Sequence, residues 1–387
     1  MYVDINSCFA SIEQQENPLL RRKPLVVAAY VTPNGCVLAS SREAKVLGIK
    51  TGMRVKDAEK ICPNISVLPC DPPKYRKVHA KLEKLLSDFS LKVVSKSIDE
   101  FVFKVALGNP WENALHVKRR IKQEIGEWIT VSIGISTNRY LAKIASNLQK
   151  PDGLVEINRD NYLNVYSKLK LTDLTGIKLR NEARLGSAGI YTVLDFYNSP
   201  LQKLKFAFGG VGGFYWQKRL HGYEIDDFPS QRKSIGNSYA FPNSNIPPIP
   251  ILAKLIEKTG FRLRSLGYKA RGVSLMISYQ NYKFWHKSLS LERLIFDSRD
   301  IFKYVCKLFS ACPIKDSPIR EIAVSVFNLT KNDSLQLEMF ADIEKNLKLV
   351  KSIDKLNSRW GNFTVSHANM ADTGKYVHDR IGFGSVN

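Results

Sequence analysis

"KSIDEFVFKV", residues 96–105, sets two carboxylates side by side, Asp99 and Glu100, in an apolar, β-branched run. Neighbouring residues on a flat strand point to opposite faces, so the pair shares a site only at a strand end or a turn. Asp4, inside the short apolar run "YVDI" (2–5), is the natural third member. Three carboxylates about 5 Å apart repel by roughly 3 kcal/mol per pair at an effective dielectric of ~20. Uncompensated, one would take up a proton near neutral pH. A divalent cation removes that cost, and hard oxygen donors favour Mg²⁺ or Mn²⁺. Two such ions are the usual device for in-line phosphoryl transfer. Alone, an Asp-Glu pair reads as an ordinary acidic turn; its context decides.

The chain has 387 residues, with 58 Lys plus Arg against 36 Asp plus Glu, a formal charge of +22. That excess repels itself unless a polyanion is the partner, and nucleic acid leads over a membrane surface. No apolar run approaches the ~20 residues of a membrane span. No leader segment opens the chain. The six cysteines form no CxxC pair, which argues against zinc and for reduced thiols in a cytoplasmic protein.

Residues 24–30 and 36–40 read as strands around the turn "TPNG", followed by helices over "SREAKVLGIKTG" and 55–62. Helical spacing runs from Tyr75 to Leu86 and over 112–127. "ITVSIGIS" alternates Ile129, Val131, Ile133 and Ile135 as a half-buried strand, and Thr137 is placed to cap the next helix. Residues 166–225 are helical and punctuated by glycine, 226–234 read as a linker, and a second unit of alternating strands follows. No regular βαβ repeat is present, so the fold class is α+β.

Four stretches occur in order: "VDINSCFASIEQ" (3–14), "GCVLASSREAKVLGIKTGM" (35–53), "SIDEF" (97–101) and "GISTNRYLAKIASNLQKPDGL" (134–154). Together they resemble the Y-family of translesion DNA polymerases, of the bacterial DinB/UmuC type. "KSIGNSYAF" (233–241) and "DRIGFG" (379–384) extend the likeness to the end of the chain. The resemblance implies a right-hand polymerase: palm (1–10 and 71–165), fingers (11–70), a helical thumb (166–225) and, after the 226–234 linker, an α+β little finger (235–335). Residues 336–387 would carry a clamp-binding peptide and a tail.

It also implies template-directed, low-fidelity DNA synthesis from dNTPs on primer-template DNA, with two Mg²⁺ ions (Mn²⁺ as substitute). The ions would be held by Asp4, Asp99, Glu100 and the backbone carbonyl of Ile5. Phe9 matches the steric gate that excludes a ribose 2′-hydroxyl. Lys150, Arg42 and Lys45 match triphosphate contacts, although the commoner pattern at the last two is Tyr and Arg. Cys36 and Leu38 would roof the nascent base pair. Phe101 replaces the usual alanine after "SIDE", which predicts a packing change rather than lost catalysis. The chain begins three residues before Asp4, so the first strand is short and leaves room for a start upstream of Met1.

"LTGIKLRNEARLGSAGI" (174–190) resembles a helix–hairpin–helix, with Gly176 and Lys178 at the phosphate-facing turn; Lys178 stands where a glycine is usual. Residues 251–290 hold eight Lys/Arg and one acid, Glu257. Lys254, Lys258 and Arg262 form one helical stripe, and Lys269 and Arg271 lie beside strands. This reads as a surface that tracks the DNA backbone. "QLEMF" (336–340) looks like a sliding-clamp peptide anchored by Gln336, Leu337 and Phe340. A monomer with no membrane contact is expected. Three rivals remain: a non-catalytic clamp-associated protein of polymerase-like fold, a metal-dependent nuclease using the same acids, and a plain nucleic-acid-binding protein.

Overall fold

Strand Tyr2–Ile5 is apolar on one side and carries Tyr2 and Asp4 on the other, and it needs partners for both. In the computed structural model it sits at the centre of a five-stranded sheet. The order is Val93–Ser95, Glu100–Phe103, Tyr2–Ile5, Val131–Ser136, Leu154–Ile157, and all pairs are antiparallel except the last. The structure describes residues 1–105, 108–227, 232–242, 246–314, 317–331, 343–371 and 373–379.

Register assigns the two faces. Val3 lies opposite Phe101 and Ile133, while Asp4 lies opposite Glu100 and Ser132. Val3, Ile5, Phe101, Phe103 and Ile133 therefore share the side that packs on helices Pro72–Ser87 and Pro110–Arg120, where Tyr75, Leu82, Leu86 and Val117 complete the core. Phe101 is fully buried there, stacked on His79 at 4.8 Å. Its bulk fills the face away from the carboxylates, as the strand alternation predicts.

The other face is covered as well. The sequence reading of Val131–Ser136 as half-buried is corrected: Ser132 and Gly134 are buried too. A Cβ at Gly134 would sit 1.9 Å from the Ala142 carbonyl oxygen, so only glycine lets helix Arg139–Leu148 lie this close to the sheet. That helix is capped by Asn138, whose side chain accepts from the Leu141 N–H, rather than by Thr137. Its Leu148, at the C-terminal end, is exposed. Over 112–127 the helix is Pro110–Arg120, continuing as a π-turn over Ile121–Ile125.

A small three-stranded sheet, Val37–Ser40, Leu25–Ala28 and Ser66–Pro69, carries the short helices Arg42–Val46 and Val55–Ile61. Helices from Tyr162–Lys168 to Val211–Leu220 gather around Tyr166, Leu185, Phe196 and Leu204. Asp226 and Asp227, at the start of the stretch read as a linker, are ion-paired to Arg219 and Arg139. The chain divides into two compact units, Met1–Pro229 and Ser230–Asp379. The second holds an antiparallel sheet ordered Phe284–Ile295, Lys269–Tyr279, Ile319–Thr330, Ser234–Ala240, with helices Pro248–Ser265 and Ser298–Ser310 packed against it. The mixed architecture is the α+β class expected.

Candidate active site

Asp99 and Glu100 sit at a hairpin. Residues 96–99 turn between strands Val93–Ser95 and Glu100–Phe103, closed by the Lys96 N–H donating to the Glu100 carbonyl at 2.8 Å. The turn frees Asp99 from strict alternation, and Ser97 bridges the pair. Its hydroxyl donates to Asp99 Oδ1 at 2.6 Å and lies 3.2 Å from Glu100 Oε2. Asp4 is brought in by direct cross-strand pairing with Glu100, and the Ile5 N–H donates to the Asp99 carbonyl at 2.9 Å. All three acids line one cavity of about 660 Å³, as does Ile5.

Two lysines balance these acids. Lys150 reaches Asp4 Oδ2 at 2.8 Å. Lys143, on the helix that Gly134 admits, reaches Glu100 Oε1 at 2.5 Å, and Tyr2 donates to Glu100 Oε2 at 3.0 Å. Burial pushes Asp4 up to about 6 although Lys150 opposes it, and burial also raises Asp99. Burial works against the Glu100 anion too, but hydrogen bonds from Lys143, Tyr2 and Ser97 hold it below the usual range. The donor set is hard, anionic and at least half-buried, which is the chemistry a divalent cation satisfies. Among the described residues no three His, Cys, Asp or Glu side chains are gathered tightly enough to grip a metal as they stand. The lysine ammonium groups hold two of the three carboxylates instead.

Residues that the sequence reading missed position this site. Asn6 is buried; its Oδ1 accepts from the Asp152 N–H at 2.8 Å and from Thr130, and its amide donates to Ser132. It thereby ties the end of the first strand to the "KPDG" turn that carries Lys150. Its place directly after "VDI" is the sole sequence signal. Lys143 carries no such signal, because no spacing rule shows a strand on another segment.

Phe9 lines the cavity with its ring stacked on Tyr75. Leu38, Arg42 and Lys45 line it from the small sheet and its helix; Cys36 does not. Cys36 instead forms an isolated bridge with Arg54. Ser41 caps helix Arg42–Val46, setting Arg42 and Lys45 one turn apart on the cavity side. Arg42 is tied to the Thr130 hydroxyl. Lys45 has no carboxylate partner among the described residues, and burial, with Lys150 nearby, lowers its pKa.

Away from the cavity, Gly176 takes φ +91° and Lys178 caps helix Leu179–Ser187. Lys178 is exposed with extended φ, −126°, so nothing there demands the missing glycine. Gly210, φ +97°, is itself the N-cap of helix Val211–Leu220.

The basic stripe is corrected. Lys254 is 5% exposed, and its ammonium donates to the carbonyls of Thr373 and Tyr376 at 2.6 and 2.5 Å. Lys258 donates to the His378 carbonyl at 3.0 Å, and Arg262 turns to the Gly236 carbonyl at 3.3 Å. Spacing by four placed them on one face, but that face receives the residues near 373–378 and strand Ser234–Ala240. Arg271 is exposed and Lys269 partly buried. Gln336, Leu337 and Phe340 lie outside the described residues. No helix among the described residues is long and apolar enough to cross a membrane.

The chain is similar to known proteins along most of its length. The impB/mucB/samB family matches residues 3–147, and the C-terminal domain of that family matches 232–339. "DNA polymerase IV" of Pelotomaculum thermopropionicum is 31% identical over 384 residues, covering 95% of this chain and 94% of the relative. Among solved structures, a Y-family DNA polymerase chimera superposes with a TM-score of 0.75 at 25% identity, covering 86% of this chain and 99% of its own. An insertion ternary complex of Dbh DNA polymerase matches with a TM-score of 0.60 at 26% identity, with the same coverage. An ordered set of motifs, a sheet that gathers three acids at one hairpin, and relatives spanning almost the whole chain agree: this protein belongs to the Y-family of DNA polymerases, in its DinB-type, impB/mucB/samB branch, and is a DNA-directed DNA polymerase of translesion synthesis.

Proposed function

We propose that the 660 Å³ cavity binds the incoming dNTP against a primer 3′-hydroxyl, with Asp4, Asp99, Glu100 and the Ile5 carbonyl as the ligand set for two divalent cations. Dependence on divalent metal belongs to the family; the ligand set and the choice of Mg²⁺, with Mn²⁺ as substitute, are the proposal. The chemistry supplied there by bound cations is polarisation of the α-phosphate, a lower pKa for the 3′-hydroxyl and charge neutralisation on pyrophosphate. The single observation that carries this reading is the convergence of three carboxylates, Asp4 buried and Asp99 and Glu100 half-buried, and three cations, Arg42, Lys45 and Lys150, on one cavity.

In this scheme Lys150 exchanges Asp4 for triphosphate oxygens, which frees the carboxylate. Lys45, unpaired and destabilised by burial and by Lys150, gains an anion. Arg42 leaves Thr130 or reaches past it. Lys143, Tyr2 and Ser97 keep Glu100 ionised and oriented. Phe9 closes the sugar side, and Leu38 packs above the base; Cys36 is left out of the roof. The ternary complex of the Dbh relative supports primer-template DNA and dNTP as ligands. The test is primer extension on a primed template with Mg²⁺ and dNTPs. Product ladders support the proposal; Mg²⁺-dependent degradation without dNTPs would point to a nuclease, and an inert protein to a binding module.

The proposal places the enzyme in the cytoplasm as a monomer; its six cysteines are all free thiols, which suits a reducing compartment. Gly176, Lys178, Lys269 and Arg271 are proposed to hold the DNA backbone. Arg271→Ala is expected to reduce the slope of log K against log salt by about 1. Lys254→Ala should leave that slope unchanged and cost about 1–3 kcal/mol in unfolding, from the stranded carbonyls. Equal slopes for both variants and wild type would remove Arg271 from the interface. Deleting "QLEMF" (336–340) should weaken sliding-clamp binding at least about tenfold, measured by surface plasmon resonance, while distributive extension persists.

A further inference from the structure

Phe9 does not meet the cavity alone. It lies on helix Cys8–Glu16, and Glu13 follows one turn later, so the two side chains share a face. Tyr75, from helix Pro72–Ser87, spans both. Its ring lies 4.3 Å from that of Phe9 with 10° between planes, and its hydroxyl donates to Glu13 Oε1 at 2.7 Å. Glu13 Oε2 accepts from Lys74 at 2.8 Å, and Lys74 also reaches Glu16 at 2.5 Å and Asp71 at 3.7 Å. Tyr75 is fully buried and Glu13 is 7% exposed.

A carboxylate in a core persists only when its oxygens are satisfied, and here both are, by one phenol and one ammonium. Neither oxygen faces the reaction: Glu13, Lys74 and Tyr75 are all absent from the cavity lining. What the assembly does touch is the back of the Phe9 ring. A ring that must reject one hydroxyl oxygen has to keep its plane and height within a few tenths of an ångström, and phenylalanine has two side-chain torsions to lose that placement.

We propose that Glu13, Lys74 and Tyr75 set the sugar specificity of the polymerase. Glu13 and Lys74 anchor the Tyr75 hydroxyl, and Tyr75 fixes the Phe9 ring against the nucleotide sugar. They are positioning residues and touch no substrate. The inference rests on the reading of Phe9 as the gate. It also explains why the gate ring, rather than a shorter apolar residue, is backed by a second aromatic ring in parallel contact. A stacked aromatic pair contributes beyond its buried area, and losing it lets the front ring tilt.

The test is single-nucleotide incorporation with matched dNTP and rNTP, reading the ratio of the two kcat/KM values. Tyr75→Leu is expected to lower discrimination about tenfold, the stacked pair being lost. Tyr75→Phe and Glu13→Gln keep the stack and should lower it about threefold. The change should be carried by the ribonucleotide KM. In a Phe9→Ala background, Tyr75→Leu should change the ratio no further. A merely structural brace would depress dNTP and rNTP incorporation together and leave the ratio at the wild-type value, which overturns the proposal. If Tyr75→Leu does not fold, an unchanged ratio in both folded milder variants overturns it equally. If Phe9→Ala itself still excludes ribonucleotides, the gate reading fails, and this inference with it; if Phe9→Ala admits them while the Tyr75 and Glu13 variants keep the wild-type ratio, this inference alone fails.

Discussion

Asp99→Asn is expected to lower kcat for primer extension by about a thousandfold or more, with the protein still folded. Asparagine keeps the shape and an oxygen to accept from the Ser97 hydroxyl, so the hairpin survives. It removes the anion that the proposed cations require. Burial already raises the Asp99 pKa, so a neutral isostere does not penalise folding. Equal extension by the variant and wild type would remove Asp99 from the metal set.

Asp4 adds a signature in stability. Its carboxyl is pushed up to about 6 from an ordinary value of 3.8. The folded state therefore holds a proton that the unfolded chain has lost, and stability falls as pH rises between those values. Asp4→Asn carries no such penalty. Without divalent metal it should be more stable than wild type by about 1–3 kcal/mol at pH 7–8, and no more stable near pH 4. Thermal denaturation against pH measures this, and parallel curves for the two proteins would contradict it. The variant should be inactive all the same, an active site kept at the expense of stability.

Phe9→Ala is expected to admit ribonucleotides, reducing discrimination against rNTPs about 100-fold, because the cavity then has room beside the sugar. The same change removes the stacking partner of Tyr75 and opens the core, at about 3–5 kcal/mol of stability. Phe9→Leu is the gentler companion and should give a smaller loss on both counts. Single-nucleotide kinetics with paired dNTP and rNTP separate the effects, since lost stability lowers both rates and an opened gate lowers only the contrast between them. Undiminished rejection of rNTPs by both variants would make Phe9 a core residue.

Much of this was legible from local pattern. Period-two alternation around "SIDEF" required a turn for Asp99 and Glu100 to meet, and a hairpin turn is there. The same alternation put Phe101 on the face away from the acids, where His79 receives it. Helical spacing located Pro72–Ser87 and Arg139–Leu148 to within a few residues. It went wrong where a second layer decided the outcome. Val131–Ser136 reads as half-exposed because its second face is serine and glycine; those small residues are what a helix packed close to the sheet needs. Lys254, Lys258 and Arg262 read as a DNA-facing stripe because charge normally means solvent, yet backbone carbonyls from other segments take their donors.

The sequence by itself determined the fold class, the family and the three acids, because periodicity and ordered motifs are properties of the chain as written. Tertiary structure alone decided which groups hold those acids: Lys150 on Asp4, Lys143 and Tyr2 on Glu100, Asn6 joining the first strand to the "KPDG" turn, and Tyr75 behind Phe9. Each joins segments at least 43 residues apart, as Glu100 and Lys143 are. A hydrogen bond or a ring stack acts over a few ångströms of space, and spacing along a chain carries no record of which distant segments folding will bring within that reach.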